Sequence, residues 1–313
     1  MTKQEQRYIT AAHRRKKAAS AAHLLSVSAA VLFLFAVALL FIMPIVLTLS
    51  NSFMAESEIA ANYGRIFTGI TTAGTYVAEK VNLKLIPDMV SFTQYETVLL
   101  KTPDYLFKFW NSVILVAPIV LFQTGVALLA AYGFARFETK ARSILFFLYI
   151  ILMLMPYQVT LVPNYFVSDL LGLLNTRLAI ILPGIFSPFA VFILTKFMRR
   201  IPSSVIEAAK LDGAGEWQIF SKICAPMSKS IVASVAILVY IDYWNMVEQP
   251  IVLMTGDAVD LHPLSVFLSE INTGDTGLAF AVASIYMIIP LLIFLYCEDY
   301  LVEGVAYSGG LKG

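Results

Sequence analysis

Six stretches of roughly 20 apolar residues punctuate this chain, and they constrain its fold more than any other feature. A helix rises about 1.5 Å per residue, so about 20 apolar residues cross a hydrocarbon core about 30 Å thick. The stretches lie at residues 24–50, 110–134, 144–167, 178–198, 231–254 and 278–301. The composition agrees. Hydrophobic residues make up 59% of the chain and charged residues 14%, against about 25% charged in soluble domains. That is too little charge to cover a water-exposed surface. The same balance excludes disorder. A net charge of +1 provides no basic field for nucleic acid, so no nucleic-acid partner is expected. The two cysteines, Cys224 and Cys297, form no CxxC or Cys/His cluster, which argues against a disulfide framework and a metal site. His13, His23 and His262 are isolated in the chain. The first apolar stretch follows a basic head, residues 1–23, containing Arg14, Arg15, Lys16 and Lys17. It is too long for a signal peptide and reads as a retained anchor. The expected fold is an all-α polytopic membrane protein with six transmembrane helices.

Lysine and arginine set the orientation. The head carries six, the 136–142 loop three, the 196–229 segment six, and the tail Lys312. The opposite side has five in the long loop 51–109 and one at Arg177. Sixteen against six places both termini in the cytoplasm and the loop 51–109 outside, where Pro87 and Pro103 break up a small helical cap. The 251–276 loop carries Asp257, Asp260, Glu270 and Asp275 but no base, as an outside loop tolerates. Both cysteines then fall at or near the cytoplasmic face and stay reduced.

The most informative segment is the cytoplasmic loop 199–230. Ser204 and Glu207 have the S-x-x-E spacing of a capping box, which predicts a helix start there. Gly213 can take the left-handed conformation that ends it. Glu216 to Ile223 predict a second short helix, stopped by Pro226. Two pieces this short cannot span a membrane. Small residues on a short helix-turn-helix permit close approach to another protein. Read plainly, Glu207 is only a capping carboxylate; it can cap and still dock.

The loop resembles a family. The pattern E-A-A-x3-G-x9-I-x-L-P marks inner-membrane permease subunits of binding-protein-dependent ABC importers. This chain has Glu207, Ala208, Ala209, Gly213, Ile223 and Pro226 at matching spacing, with Ala225 in place of the leucine, and Asp212 in the accompanying DGA. The runs LMPYQVTLVPNYF, GLLNTRLAIILP and FMRRIP, Trp244-Asn245 with Pro250, and the ending VEGVAYSGGLKG resemble the MalG-like carbohydrate branch. Glu298 and Asp299 depart from it. The resemblance implies a type I ABC importer permease fold, with a five-helix core over 105–301 and a tail at 302–313. It implies a bacterial plasma-membrane (inner-membrane) location, and a sugar path shared with a second homologous permease. It also implies an extracytoplasmic solute-binding protein and two ATP-binding subunits that carry ATP and Mg. This chain has no G-x-x-x-x-G-K-[ST]; it is expected to be non-catalytic and to bind no cofactor. Glu207, Ala208, Ala209, Asp212, Gly213, Ile223 and Pro226 are the implied ATPase-coupling residues. Gly309, Gly310 and Lys312 are implied tail contacts, unless the tail is a frayed terminus.

Polar residues at membrane depth are costly and should face a cavity or a partner. At about 100° per residue, Asp242, Trp244, Asn245, Glu248 and Gln249 fall within an arc of roughly 160° on the fifth span. Tyr157 and Gln158, with Asn164, form a second polar set between Pro156 and Pro163. These are the candidate path residues, with helix packing as the alternative. The same machinery for a polyol or glycerophosphodiester is the nearest rival. A stand-alone carrier is a further one, but carriers are expected to show inverted repeats, and none is visible.

Overall fold

The computed structural model describes residues 3–68, 83–137, 139–270 and 276–309. The chain separates into two compact units, Met1–Ser91 and Phe92–Gly313. Among the described residues there is no strand, only an isolated bridge between Met54 and Val90.

The first unit contains the helix Lys3–Asn51, whose portion Ser26–Asn51 is long and apolar enough to cross a membrane. Leu32, Phe33, Leu40 and Phe41 are exposed on it, the surface a lipid-facing helix presents. The helix Glu56–Thr68 follows. Its Glu58 accepts from the backbone N–H of Asp88 at 2.9 Å and pairs with Lys84 at 3.0 Å.

The second unit is built on the helix Asp104–Arg136. Its Leu115, Val116, Ile119, Ala127 and Ala131 are buried in a core that includes Ala190, Val191, Leu194 and Met198 of the helix Pro188–Met198. Lipid tails are as apolar as leucine, so helices associate in a membrane through close packing, and small residues permit it. Gly184 shows this directly: a Cβ there would lie 3.1 Å from Ile119 Cδ1. Polar ties join other helices. Ser234 Oγ donates to Tyr300 O at 2.7 Å, linking Lys229–Trp244 to Thr276–Gly309. Arg177 Nη2 donates to Asn111 Oδ1 at 2.7 Å, and Asn111 Nδ2 donates to Asp260 O at 2.7 Å. Buried His262 meets Met254 O through Nε2 at 2.8 Å. Both cysteines are free.

Four helices can cross a membrane by length and composition, and two bent pairs, Lys140–Met153 with Tyr157–Leu170 and Glu216–Met227 with Lys229–Trp244, raise the number to six if each pair is one span. Here the structure corrects two expectations. Residues 144–167 do not form one helix. Lys140–Met153 and Tyr157–Leu170 meet at 105°, because Pro156 has no N–H and pushes its predecessor out of the helical region. Residues 231–254 are also broken. Lys229–Trp244 ends where Asn245 Nδ2 donates to Ile241 O at 2.8 Å. A separate helix, Glu248–Leu253, then begins. Pro250 fits its first turn, where amides lack helical acceptors anyway. The last helix continues through the expected tail to Gly309. Gly310 and Lys312 lie outside the described residues.

Candidate functional site

The loop 199–230 folds as two short helices. The first, Ser203–Leu211, is preceded by Pro202 in an extended conformation (φ −57°, ψ 134°), with no side-chain cap. The expected capping box is therefore not formed. Ser204 lies inside the first turn, past the position from which a hydroxyl could cap. Gly213 has φ +80°, and the chain closes on it as a Schellman motif. The Ala214 amide donates to Ala209 O at 2.9 Å and the Gly213 amide to Lys210 O at 3.1 Å. The second helix runs Glu216–Met227 and passes Pro226 rather than stopping at it. Phe220–Cys224 is a π turn, closed by the Ala225 amide on Phe220 O. The wider turn leaves room for the proline ring.

Ile206, Ile219, Phe220 and Cys224 anchor the loop in the core. Glu216 ties it further. Its Oε2 accepts from Tyr132 Oη at 2.6 Å, and its Oε1 pairs with Lys210 Nζ at 2.9 Å. The Tyr132 hydrogen bond, then the Lys210 contact, hold the Glu216 carboxyl below its ordinary range. Arg136 donates to Met198 O at 3.3 Å, and Arg199 to Phe134 O at 3.3 Å. On the free side Glu207, Ala208, Asp212, Gly213 and Pro226 are exposed, while Ala209 and Ile223 are half-buried. Leu211 is 90% exposed and Trp217 69%.

A cavity of about 580 Å³ lies among the spans of the same unit. Of the path candidates, Tyr157, Asn164, Asp242 and Gln249 line it; Gln158, Trp244, Asn245 and Glu248 do not. Gln158 Nε2 donates to Glu248 Oε2 at 3.3 Å. Trp244 is 1% exposed, stacked on Tyr240 at 5.3 Å and Tyr286 at 5.1 Å, with Phe109 edge-on at 6.1 Å. Asn245 caps its own helix and accepts from Tyr286 Oη at 3.4 Å. The single arc required a continuous helix, and the break after Trp244 divides it. Sequence reasoning missed Gln123, Thr160 and Tyr243, which line the cavity. Gln123 is 2% exposed, and its Oε1 has no hydrogen-bond partner. A polar residue in an otherwise apolar span was the available signal.

No group of three or more His, Cys, Asp or Glu suited to a metal occurs among the described residues. With loop and cavity in place, comparison with known proteins is direct. Residues 123–305 match the family of the binding-protein-dependent transport system inner membrane component. The arabinooligosaccharides transport system permease protein AraQ of Bacillus subtilis is 28% identical over 288 residues, covering 90% of this chain and 94% of that protein. The glucose import system permease protein GlcU of Saccharolobus solfataricus is 32% identical, covering 72% and 82%. A bacterial ABC transporter involved in import of the acidic polysaccharide alginate shares the fold, with a TM-score of 0.69 at 19% identity over 89% of this chain and 96% of that one. This chain belongs to the family of binding-protein-dependent transport system inner membrane components. It is a multi-pass membrane permease.

Proposed function

We propose that this chain is one of two permease subunits of an ATP-driven importer, forming half of the path for a carbohydrate, an oligosaccharide in particular, delivered by a solute-binding protein. The carrying observation is the loop: its apolar residues are anchored in the core while Leu211 and Trp217 stand exposed beside Glu207, Ala208 and Asp212. A mere connector has no reason to present two large apolar side chains to water; a docking element does. Glu207, Ala208, Ala209, Asp212, Gly213, Ile223 and Pro226 form or frame this element, which meets the ATP-binding subunits and passes their closure to the spans. ATP and Mg belong to those partners, and this chain is non-catalytic. The six-span topology counts the bent pair Lys140–Met153 and Tyr157–Leu170 as one span and takes Lys229–Trp244 as the fifth, with Glu216–Met227 left in the cytoplasmic loop and both termini in the cytoplasm. The sugar names of the relatives support carbohydrate over a polyol or glycerophosphodiester.

Two experiments test this. Affinity purification of the tagged chain should bring down an ATPase and a second permease. Glu207→Lys, which reverses the charge offered to the partner, should leave the chain in the membrane and lower uptake at equal protein level. Purification of the chain alone, with uptake indifferent to the substitution, would refute the coupling role.

A further inference from the structure

The cavity contains one carboxylate, Asp242, and its lining includes no lysine, arginine or histidine among the described residues. Its other polar side chains are neutral: the amides of Gln123, Asn164 and Gln249, and the hydroxyls of Tyr157, Thr160, Ser187 and Tyr243. Nearby Glu248 carries the same sign as Asp242, and its oxygens are engaged by Gln158. Among these groups Gln123 stands out. It is almost fully buried, and its Oε1 lacks a partner. A buried amide oxygen without a donor is costly to leave so, and a ligand hydroxyl supplies the donor.

We infer that this cavity is a subsite for an uncharged polyhydroxylated ligand, and that Asp242 makes it reject anionic sugars and phosphate-bearing solutes. The inference rests on reading the cavity as part of the transport path. Amides and hydroxyls offer both donors and acceptors, which is what a neutral sugar requires. A uronate or phosphate would instead bring a second negative charge beside Asp242 with no base in this lining to meet it, and like charges repel. The selection acts by charge, and Gln123 and the tyrosines supply the hydrogen bonding.

Charged thiol reagents test this without a known substrate. Asn164→Cys places a thiol on the half-buried lining. In the assembled transporter in proteoliposomes, that thiol is treated with a trimethylammonium and a sulfonate methanethiosulfonate. The rate is read by mass spectrometry on the peptide carrying residue 164, and each rate is divided by that for a small free thiol. The cationic reagent should be favoured by about ten-fold, and Asp242→Asn in the same background should remove most of that preference. Equal relative rates would overturn charge selection while leaving the path intact. A preference that survives Asp242→Asn would remove Asp242 as its source. A thiol closed to both reagents in every nucleotide state would overturn the path reading and this inference with it.

Discussion

Tyr132 donates its hydroxyl proton to Glu216 across 2.6 Å, joining the end of a long membrane helix to the start of the loop's second helix. Lys210 holds the other carboxylate oxygen at 2.9 Å, so one side chain connects both loop helices to a span. The loop is therefore tied to the Asp104–Arg136 helix by a polar contact as well as by packing.

Removing that contact has a pH signature. Glu216 is held below its ordinary value near 4.5, first by Tyr132 and then by Lys210. Its stabilisation is therefore fully present above the unfolded value and is lost as pH falls through the folded one. Tyr132→Phe should lower the melting temperature of the purified complex by the equivalent of about 1 kcal/mol, a charged hydrogen bond discounted for exposure. The difference should be greatest above about pH 5 and shrink towards pH 3. A difference independent of pH would assign the loss to the hydroxyl's contact with the Glu216 backbone carbonyl at 3.3 Å instead.

The turn between the loop helices makes a second prediction. Gly213 sits at φ +80°, and a methyl group added to it would meet no neighbour within 4 Å. Space is not the constraint; conformation is. Gly213→Ala should cost about 1–2 kcal/mol, and Gly213→Asn less, because asparagine tolerates the left-handed region. Uptake at equal protein level should follow the order Gly, Asn, Ala. An alanine variant that transports like the parent would show that the turn need not be kept.

Trp244 and Asn245 separate packing from path. Trp244→Ala should destabilise the complex by about 3–5 kcal/mol, the usual cost of emptying a large buried aromatic site. Asn245→Leu removes the donor to Ile241 O, while Tyr286 keeps Trp244 O as the acceptor of its hydroxyl proton. It should lower thermal stability by about 1 kcal/mol with uptake per folded complex unchanged. A selective fall in uptake at unchanged stability would return Asn245 to the path.

These outcomes mark what the sequence could disclose. Apolar length alone located the four helices long and apolar enough to cross a membrane, because hydrocarbon thickness allows little choice, and the motif spacing located Gly213 at its turn. The breaks at Pro156 and after Trp244 were not legible. A proline can bend, end or merely interrupt a helix, and Pro163 sits inside one, while Pro226 is accommodated by a π turn. Once Asn245 is seen to end a helix, angular arithmetic across it no longer applies, and Trp244 and Gln249 need not share a face. Tyr132 carried no pattern at all, and Gln123 only that of a polar residue in an apolar span. Each matters through a partner far away in sequence, or through lacking one.

Close packing yields a further test. Gly184 lies against Ile119, and an added Cβ would fall 3.1 Å from its Cδ1 and Cγ1. Ile119 is fully buried and has little room to give. Gly184→Ala should therefore cost about 1–3 kcal/mol by overpacking, and Ile119→Val in the same chain should restore part of it. Thermal unfolding of the two single variants and the double variant measures the coupling. Additive losses would mean that the two residues do not press on one another.

The bent pair at Pro156 decides the topology. If Lys140–Met153 and Tyr157–Leu170 together cross once, residue 140 is cytoplasmic and residue 175 is outside; Leu178–Met198 then returns the chain inward to the loop 199–230. If the pair instead re-enters, residue 175 stays cytoplasmic and the next span carries the loop outside, where no ATPase could meet it. The charges argue for the first arrangement: three bases lie at 136–142, six at 196–229, and Arg177 alone lies between the two helices. A reporter active only in the cytoplasm should therefore work when fused after residue 140 or 215 and fail after residue 90, 175 or 265. Activity at both 140 and 175 would make the pair re-entrant, and silence at 215 would remove the docking role of the loop.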